Sequence, residues 1–149
     1  MGLEKEIKQK TPFSNEGNRA LVNILYSSGW LTERLKSHFK PYGITPKQYN
    51  ILRILNGAMD PMSTSQIRAR MLDKMSDVTR LIDRMVLKQW ITKNASNVDR
   101  RLIDVRITLK GEKLLKDIDQ VNPPLDNIIS NLNEIECAQL NILLDKLRG

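Results

Sequence analysis

Apolar residues recur at three- and four-residue intervals along most of the chain and switch to alternation once. From about Ser14 to Phe39, the residues Leu21, Ile24, Leu25, Leu31, Leu35 and Phe39 share one side of a helix with Ser28. Val22, Tyr26 and Trp30 form a second stripe, rotated by about a quarter turn or more. A helix apolar on two sides has two surfaces to bury. One packs on its own domain and the other needs a partner chain or a ligand cavity, unless the two merge into one broad core face.

The residues before this helix, 1–13, read as a frayed or partly helical arm. After it, Pro41-Tyr42-Gly43 ends the helix, and Thr45-Pro46 opens the next as N-cap and first-turn proline. Tyr49, Leu52, Ile54 and Leu55 are its apolar side. Asn56-Gly57 closes it and Asp60-Pro61 makes a turn. Ser63-Thr64-Ser65-Gln66 is a capping box that starts a short helix to about Met71. Asp73 is the expected cap of a further helix reaching about Gln89. Val78, Leu81, Ile82, Met85 and Val86 take one side of that helix. Ser76, Arg80, Asp83 and Arg84 take the other, flanked by Asp77 and Thr79.

The period then becomes two. Trp90 to Lys93 reads as a strand, Asn94 to Asn97 as a polar turn, and Ile103, Val105 and Ile107 alternate with Asp104 and Arg106 as a half-buried strand. Thr108 caps a helix carrying Leu114, Leu115, Ile118 and Val121, which Pro123-Pro124 must break or kink. Asn133-Glu134-Ile135-Glu136 is a second capping box, and the last helix carries Leu140, Leu143, Leu144 and Leu147. The expected fold is therefore mainly α with one small β-hairpin.

Charge singles out the middle of this layout. The chain has 149 residues and a net charge of +7, and residues 61–113 hold twelve Lys/Arg against six Asp/Glu. A surplus of +6 confined to one structural unit suggests a polyanionic partner. Catalysis finds little support. One His and one Cys on separate helices supply neither a nucleophile–base pair nor a metal cluster, so no cofactor or metal is expected. Cys137, among Ile135, Leu140 and Leu144, reads as an inert buried thiol. His38 lies where a helix C-terminus favours a cation. No apolar run approaches the ~18 residues of a membrane span, and Met1 to Lys10 lacks the apolar segment of a signal peptide, so a cytoplasmic location is expected.

A helix-turn-helix followed by a basic hairpin is the arrangement that grips duplex DNA. The hydrogen-bonding residues Ser76, Thr79, Arg80 and Arg84 suit base edges and phosphates. Arg101, with Arg100 beside it, is the candidate for a wing tip entering the minor groove. Asp99 is expected to orient a wing arginine by a charge-assisted hydrogen bond. With Ser63 and Asp77, the candidate DNA-binding set is Ser63, Ser76, Asp77, Thr79, Arg80, Arg84, Asp99, Arg100 and Arg101.

Three blocks in this order resemble the MarR family of bacterial transcriptional regulators. Val78-Thr79-Arg80-Leu81-Ile82-Asp83-Arg84-Met85 is similar to the family's recognition helix, Asp99-Arg100-Arg101 to its wing, and Val105-Arg106-Ile107-Thr108 with Gly111 to its strand-to-helix junction. The resemblance implies a single MarR-like domain over 1–149. Its winged helix-turn-helix lobe would span 45–111, and its dimerisation helices 14–40 and 112–148. It further implies a homodimer on a pseudo-palindromic operator in double-stranded DNA, with recognition helices about 34–36 Å apart. The implied activity is that of a repressor relieved by a small aromatic effector, for which Tyr26, Trp30, His38 and Tyr42 are pocket candidates. The competing reading is a winged-helix module used for protein–protein assembly. The chain departs from the family at Gln89, where Gly is usual, so that turn is expected to be made differently. Asn94 and Ala95 replace Arg and Pro, which suggests a looser wing base. Lys74 and Met75 are also unusual at the start of the recognition helix.

Overall fold

The computed structural model describes residues 2–121 and 123–149; Met1, the first residue of the expected arm, and Asn122 lie outside them. The helices are α1 (Leu3–Glu6), α2 (Glu16–Phe39), α3 (Pro46–Asn56), α4 (Thr64–Arg70), α5 (Val78–Leu87), α6 (Leu109–Asp119) and α7 (Glu134–Arg148). Strands β1 (Ile91–Ala95) and β2 (Ile103–Ile107) form an antiparallel pair between α5 and α6. The molecule is thus mainly α with a single β-hairpin, a winged helix-turn-helix flanked by long terminal helices.

Local side-chain chemistry sets most helix starts. Thr45, Ser63 and Asn133 each accept a hydrogen bond from the backbone three residues on, and Gln48, Gln66 and Glu136 reach back to the cap N–H. Asn15 and Thr108 cap α2 and α6 through Asn18 and Gly111. Each such cap stabilises its helix by about 1 kcal/mol.

The core lies in the central lobe. Phe39, Ile51, Leu52, Ile67, Met71, Val78, Ile82, Met85, Ile91, Val105, Leu115 and Ile118 are all essentially excluded from solvent. Burying each stabilises the fold by roughly 1.5–3 kcal/mol. One long-range pairing fastens the helix-turn-helix to the hairpin. The Met62 N–H donates to the Val105 carbonyl (3.1 Å) and the Val105 N–H to the Met62 carbonyl (2.8 Å), so the segment before α4 forms a one-residue third strand.

The junction from α5 to the hairpin differs from expectation. Gln89 adopts φ +61°, the left-handed conformation that Gly favours, so the turn is made in the usual way by a residue that fits it poorly. Thr108 holds it, donating from Oγ1 to the Gln89 carbonyl (2.7 Å) and from its N–H to the Trp90 carbonyl (3.0 Å). Gly111 is required here. A Cβ would lie 2.3 Å from the Trp90 carbonyl oxygen and 2.8 Å from Ile107 Cγ1.

Three further expectations are corrected. Asp73 does not cap the helix before the wing. Its carboxylate accepts from the Met75 N–H (2.9 Å) and pairs with Lys47 (2.8 Å), and α5 starts only at Val78. Asn94 and Ala95 belong to β1, paired with Asp104 and Ile103, so the wing base is fully laddered rather than loose. Cys137 is half-buried rather than buried.

The terminal helices leave their apolar residues uncovered. In α2 only Phe39 is buried, while Leu21, Ile24, Leu25, Tyr26 and Trp30 are exposed. No described residue of α7 is buried, and Ile135, Leu140, Ile142, Leu143 and Leu147 face solvent. A single broad core face along α2 is therefore not what the fold builds.

Candidate nucleic-acid interface

Helix α5 separates its two sides cleanly. Val78, Ile82 and Met85 point into the core, and Thr79, Arg80, Asp83 and Arg84 remain exposed. Spacings of one, four and five residues put these four on one helical face. The Asp77 carboxylate caps the helix by accepting from the Arg80 N–H (3.2 Å), so it anchors the start of this surface. Asp83 is drawn away from an unpaired state by Lys93 of β1 (2.6 Å), an ion pair that ties the helix to the hairpin. Among the described residues, Arg80, Arg84 and Arg100 form no ion pair and are free to meet phosphates or base edges.

The wing loop is organised from within. Ser96 is buried, its N–H donates to the Leu102 carbonyl (2.9 Å), and its Oγ accepts from the Val98 N–H (3.2 Å). The Leu102 N–H donates to the Asp99 carbonyl (2.9 Å), closing a tight turn across Arg100 and Arg101. Asp99 Oδ1 accepts both the Arg101 N–H (3.0 Å) and its Nε (3.1 Å), and Oδ2 accepts Nη2 (3.0 Å). These bonds hold the Asp99 carboxyl below the usual carboxylate range, the Arg101 guanidinium contributing most and its backbone N–H next. The same pair raises Arg101, which is cationic at any pH of interest. The expected orienting role of Asp99 matches this geometry, and Arg101 stays largely open to solvent.

Two members of the expected set sit elsewhere. Ser76 is not on the outer face. It precedes α5, is only 7% exposed, and its buried Oγ has no hydrogen-bond partner among the described residues. The turn at 73–76 folds inward there, which helical periodicity extended back from α5 could not reveal. Ser63 is half-buried, its hydroxyl engaged by the Gln66 N–H (3.2 Å) and close to Ser65 Oγ (3.0 Å). Sequence reasoning missed Ser96 and Lys93. Only the turn-rich Asn94 to Asn97 segment hinted at the former, and the latter depends on a strand register.

The four pocket candidates do not converge. Tyr26 is exposed, Tyr42 packs at the edge of the core, and Trp30 and His38 share a small recess of about 270 Å³ with Arg34 and Pro124. Arg34 lies over the Trp30 ring (5.1 Å), and His38 Nε2 is buried without a partner among the described residues. A larger cavity of about 850 Å³ opens between α2, α3 and the turn after α4. Phe39, stacked on Tyr49 at 4.4 Å, forms part of its wall, and Lys36, Lys47 and Arg53 at its edge are each paired with a carboxylate, Glu33, Asp73 and Asp119 respectively.

Among the described residues, no helix is long and apolar enough to cross a membrane. The model of the MarR family matches residues 44–103, which include the helix-turn-helix and most of the hairpin. The HTH-type transcriptional regulator MhqR of Bacillus subtilis is 27% identical over 118 residues, 78% of this chain and 81% of that protein. MgrA of Staphylococcus aureus, also an HTH-type transcriptional regulator, is 25% identical over 99% of this chain and 93% of its own. A MarR-like transcription regulator of Bacillus cereus superposes with a TM-score of 0.77 and 26% identity, over 90% of this chain and 97% of the other. A mutant MarR from E. coli, solved with operator DNA, shares the fold with a TM-score of 0.81 at 23% identity, over 93% of this chain and all of the other.

Proposed function

Because the chain belongs to the MarR family of transcriptional regulators, we infer that it is a DNA-binding regulator that acts as a homodimer on a pseudo-palindromic operator and represses until a small ligand is bound. It is a regulator and not an enzyme. The observation that carries this reading is the pairing of an exposed Thr79-Arg80-Arg84 face with a wing whose Arg101 is aimed by Asp99. Helix α5 enters the major groove, where its polar side chains meet base edges, and the wing cation enters the minor groove. The DNA-operator complex of the E. coli relative supports duplex DNA as the partner.

The uncovered apolar residues of α2 and α7 support dimerisation, since a second copy would cover them and set the spacing of two recognition helices. The cavity beside Phe39 and Tyr49 supports a ligand switch. A small aromatic ligand would meet the apolar wall of Leu35, Phe39 and Tyr49, and would bear on the Met71–Asp73 turn that leads into α5. Such a ligand works by favouring a lobe spacing that mismatches the operator.

The test is to recover genomic fragments bound by the purified protein and footprint them. Two symmetric protected half-sites, about one helical turn apart, are expected. Protection of a single half-site, or of none, would overturn the dimeric DNA-binding reading.

A further inference from the structure

Among the apolar side chains left exposed around the recognition helix and wing, Met75 stands just before the helix start. Met75 lies three residues before α5 and is 92% exposed. Isolated exposed apolar residues are ordinary on protein surfaces. Met75 differs in how it is held. Its N–H donates to Asp73 Oδ1 (2.9 Å), and Asp73 is itself fixed by Lys47 of α3 (2.8 Å). The next N–H, that of Ser76, donates to the Asp73 carbonyl (3.3 Å), and the Leu72 N–H donates to Asn50 Oδ1 (3.0 Å). Lys74 on the same turn bonds the Ala69 carbonyl (2.5 Å). The backbone is therefore fastened from both sides while the methionine side chain projects outward. The neighbouring exposed Leu72 lines the cavity between α2 and α3, which gives it a separate setting.

We propose that Met75 is a base-reading residue that packs against the 5-methyl group of a thymine in each operator half-site. The inference rests on the DNA-binding reading above and adds a specificity element to it. Residues at the N-terminal end of a recognition helix are those that meet base edges. Of the groups presented in the major groove, the thymine methyl is the one an apolar side chain recognises. A flexible thioether adapts to such a small apolar target. Arg80 and Arg84 supply charged contacts and Thr79 a hydroxyl with one small methyl, so Met75 is the largest exposed apolar side chain beside the N-terminal end of this helix that can meet a thymine methyl.

The test uses duplexes selected by the wild-type protein from a random DNA pool. The selected sites should hold a thymine at one fixed position per half-site, and Met75→Ala should lose that preference while still selecting DNA. Replacing that thymine with deoxyuridine removes only the methyl. It should weaken wild-type binding about fourfold per half-site, the factor that burying one such group supplies, and leave Met75→Ala binding unchanged. Equal sensitivity of the two proteins to deoxyuridine, or none in either, would overturn the role of Met75 while leaving DNA binding intact. Failure of the wild-type protein to enrich any sequence would overturn the DNA-binding reading itself, and this inference with it.

Discussion

The Asp99 carboxylate holds Arg101 by both its ends, accepting the backbone N–H and two guanidinium nitrogens of the same residue at 3.0–3.1 Å. The pair is local, two residues apart, so the wing cation is directed without any support from the core. Arg101→Ala is expected to weaken operator binding by about tenfold or more, within the ~1–3 kcal/mol of a good DNA contact. Its side chain is 90% exposed, so thermal stability should hold. Asp99→Asn should weaken binding less, because the arginine survives but is no longer aimed. Titration in an electrophoretic mobility assay, with melting curves alongside, checks both.

The same pair has a defined pH behaviour. The folded Asp99 carboxyl is more acidic than an unpaired one, so the ordering it provides is fully present above the ordinary carboxylate range. It is lost only as pH falls through the lowered value. Between pH 5 and 8 the wing should not change. In an NMR titration, the Asp99 carboxyl carbon should shift with a midpoint below that of a free aspartate, and Arg101→Ala should move it toward the ordinary range but short of it, because the backbone N–H at 101 still donates.

Gln89 is a point of stored strain. A non-glycine residue at φ +61° costs roughly 1–2 kcal/mol, so Gln89→Gly should recover about 1 kcal/mol, net of the extra freedom glycine gains when unfolded. That corresponds to a Tm raised by a few degrees in differential scanning calorimetry. A lowered Tm would mean that the Gln89 side chain contributes more than its backbone costs.

Ser76 and Arg80 should separate in their effects. Ser76 is buried off the outer face of α5, so Ser76→Ala should keep operator affinity. Arg80→Ala should keep stability and lose affinity. Denaturant melts and binding isotherms on the two variants read this directly.

The exposed leucines of α2 should matter through assembly. Leu25→Glu is expected to turn a dimer of twice the 17.2 kDa chain mass into monomer in sedimentation velocity. Operator affinity should then fall on the order of a hundredfold, as the second half-site contact ceases to be intramolecular. An unchanged dimer would remove this face from the interface.

What could be read from the sequence was what short-range chemistry determines. The caps Thr45, Ser63, Thr108 and Asn133 act within three residues, and each stands where the sequence pattern put it. The hairpin followed from the alternation of Ile103, Val105 and Ile107, and the opposed faces of α5 from its helical period. The errors fall where distant residues decide. Asp73 and Asp77 are equally good caps in isolation, but Lys47, 26 positions upstream, pairs with Asp73 and leaves the cap to Asp77. The inward fold of that same turn buries Ser76. The pocket candidates were marked by residue type, and Trp30 and His38 do line one recess together. Aromatic type marked Tyr26, Trp30, His38 and Tyr42, whereas the packing of α2 on α3 places the larger cavity beside Phe39 and Tyr49.

The most direct measurement compares affinity for a selected operator duplex with that for a scrambled duplex of the same length and composition, by fluorescence anisotropy at fixed salt. A dimeric reader of base edges should bind the operator at least ~10³-fold more tightly, with both affinities falling steeply as salt rises. Equal affinities for the two duplexes, or binding to neither at low salt, would contradict sequence-specific DNA recognition and leave the winged lobe as a protein-assembly module.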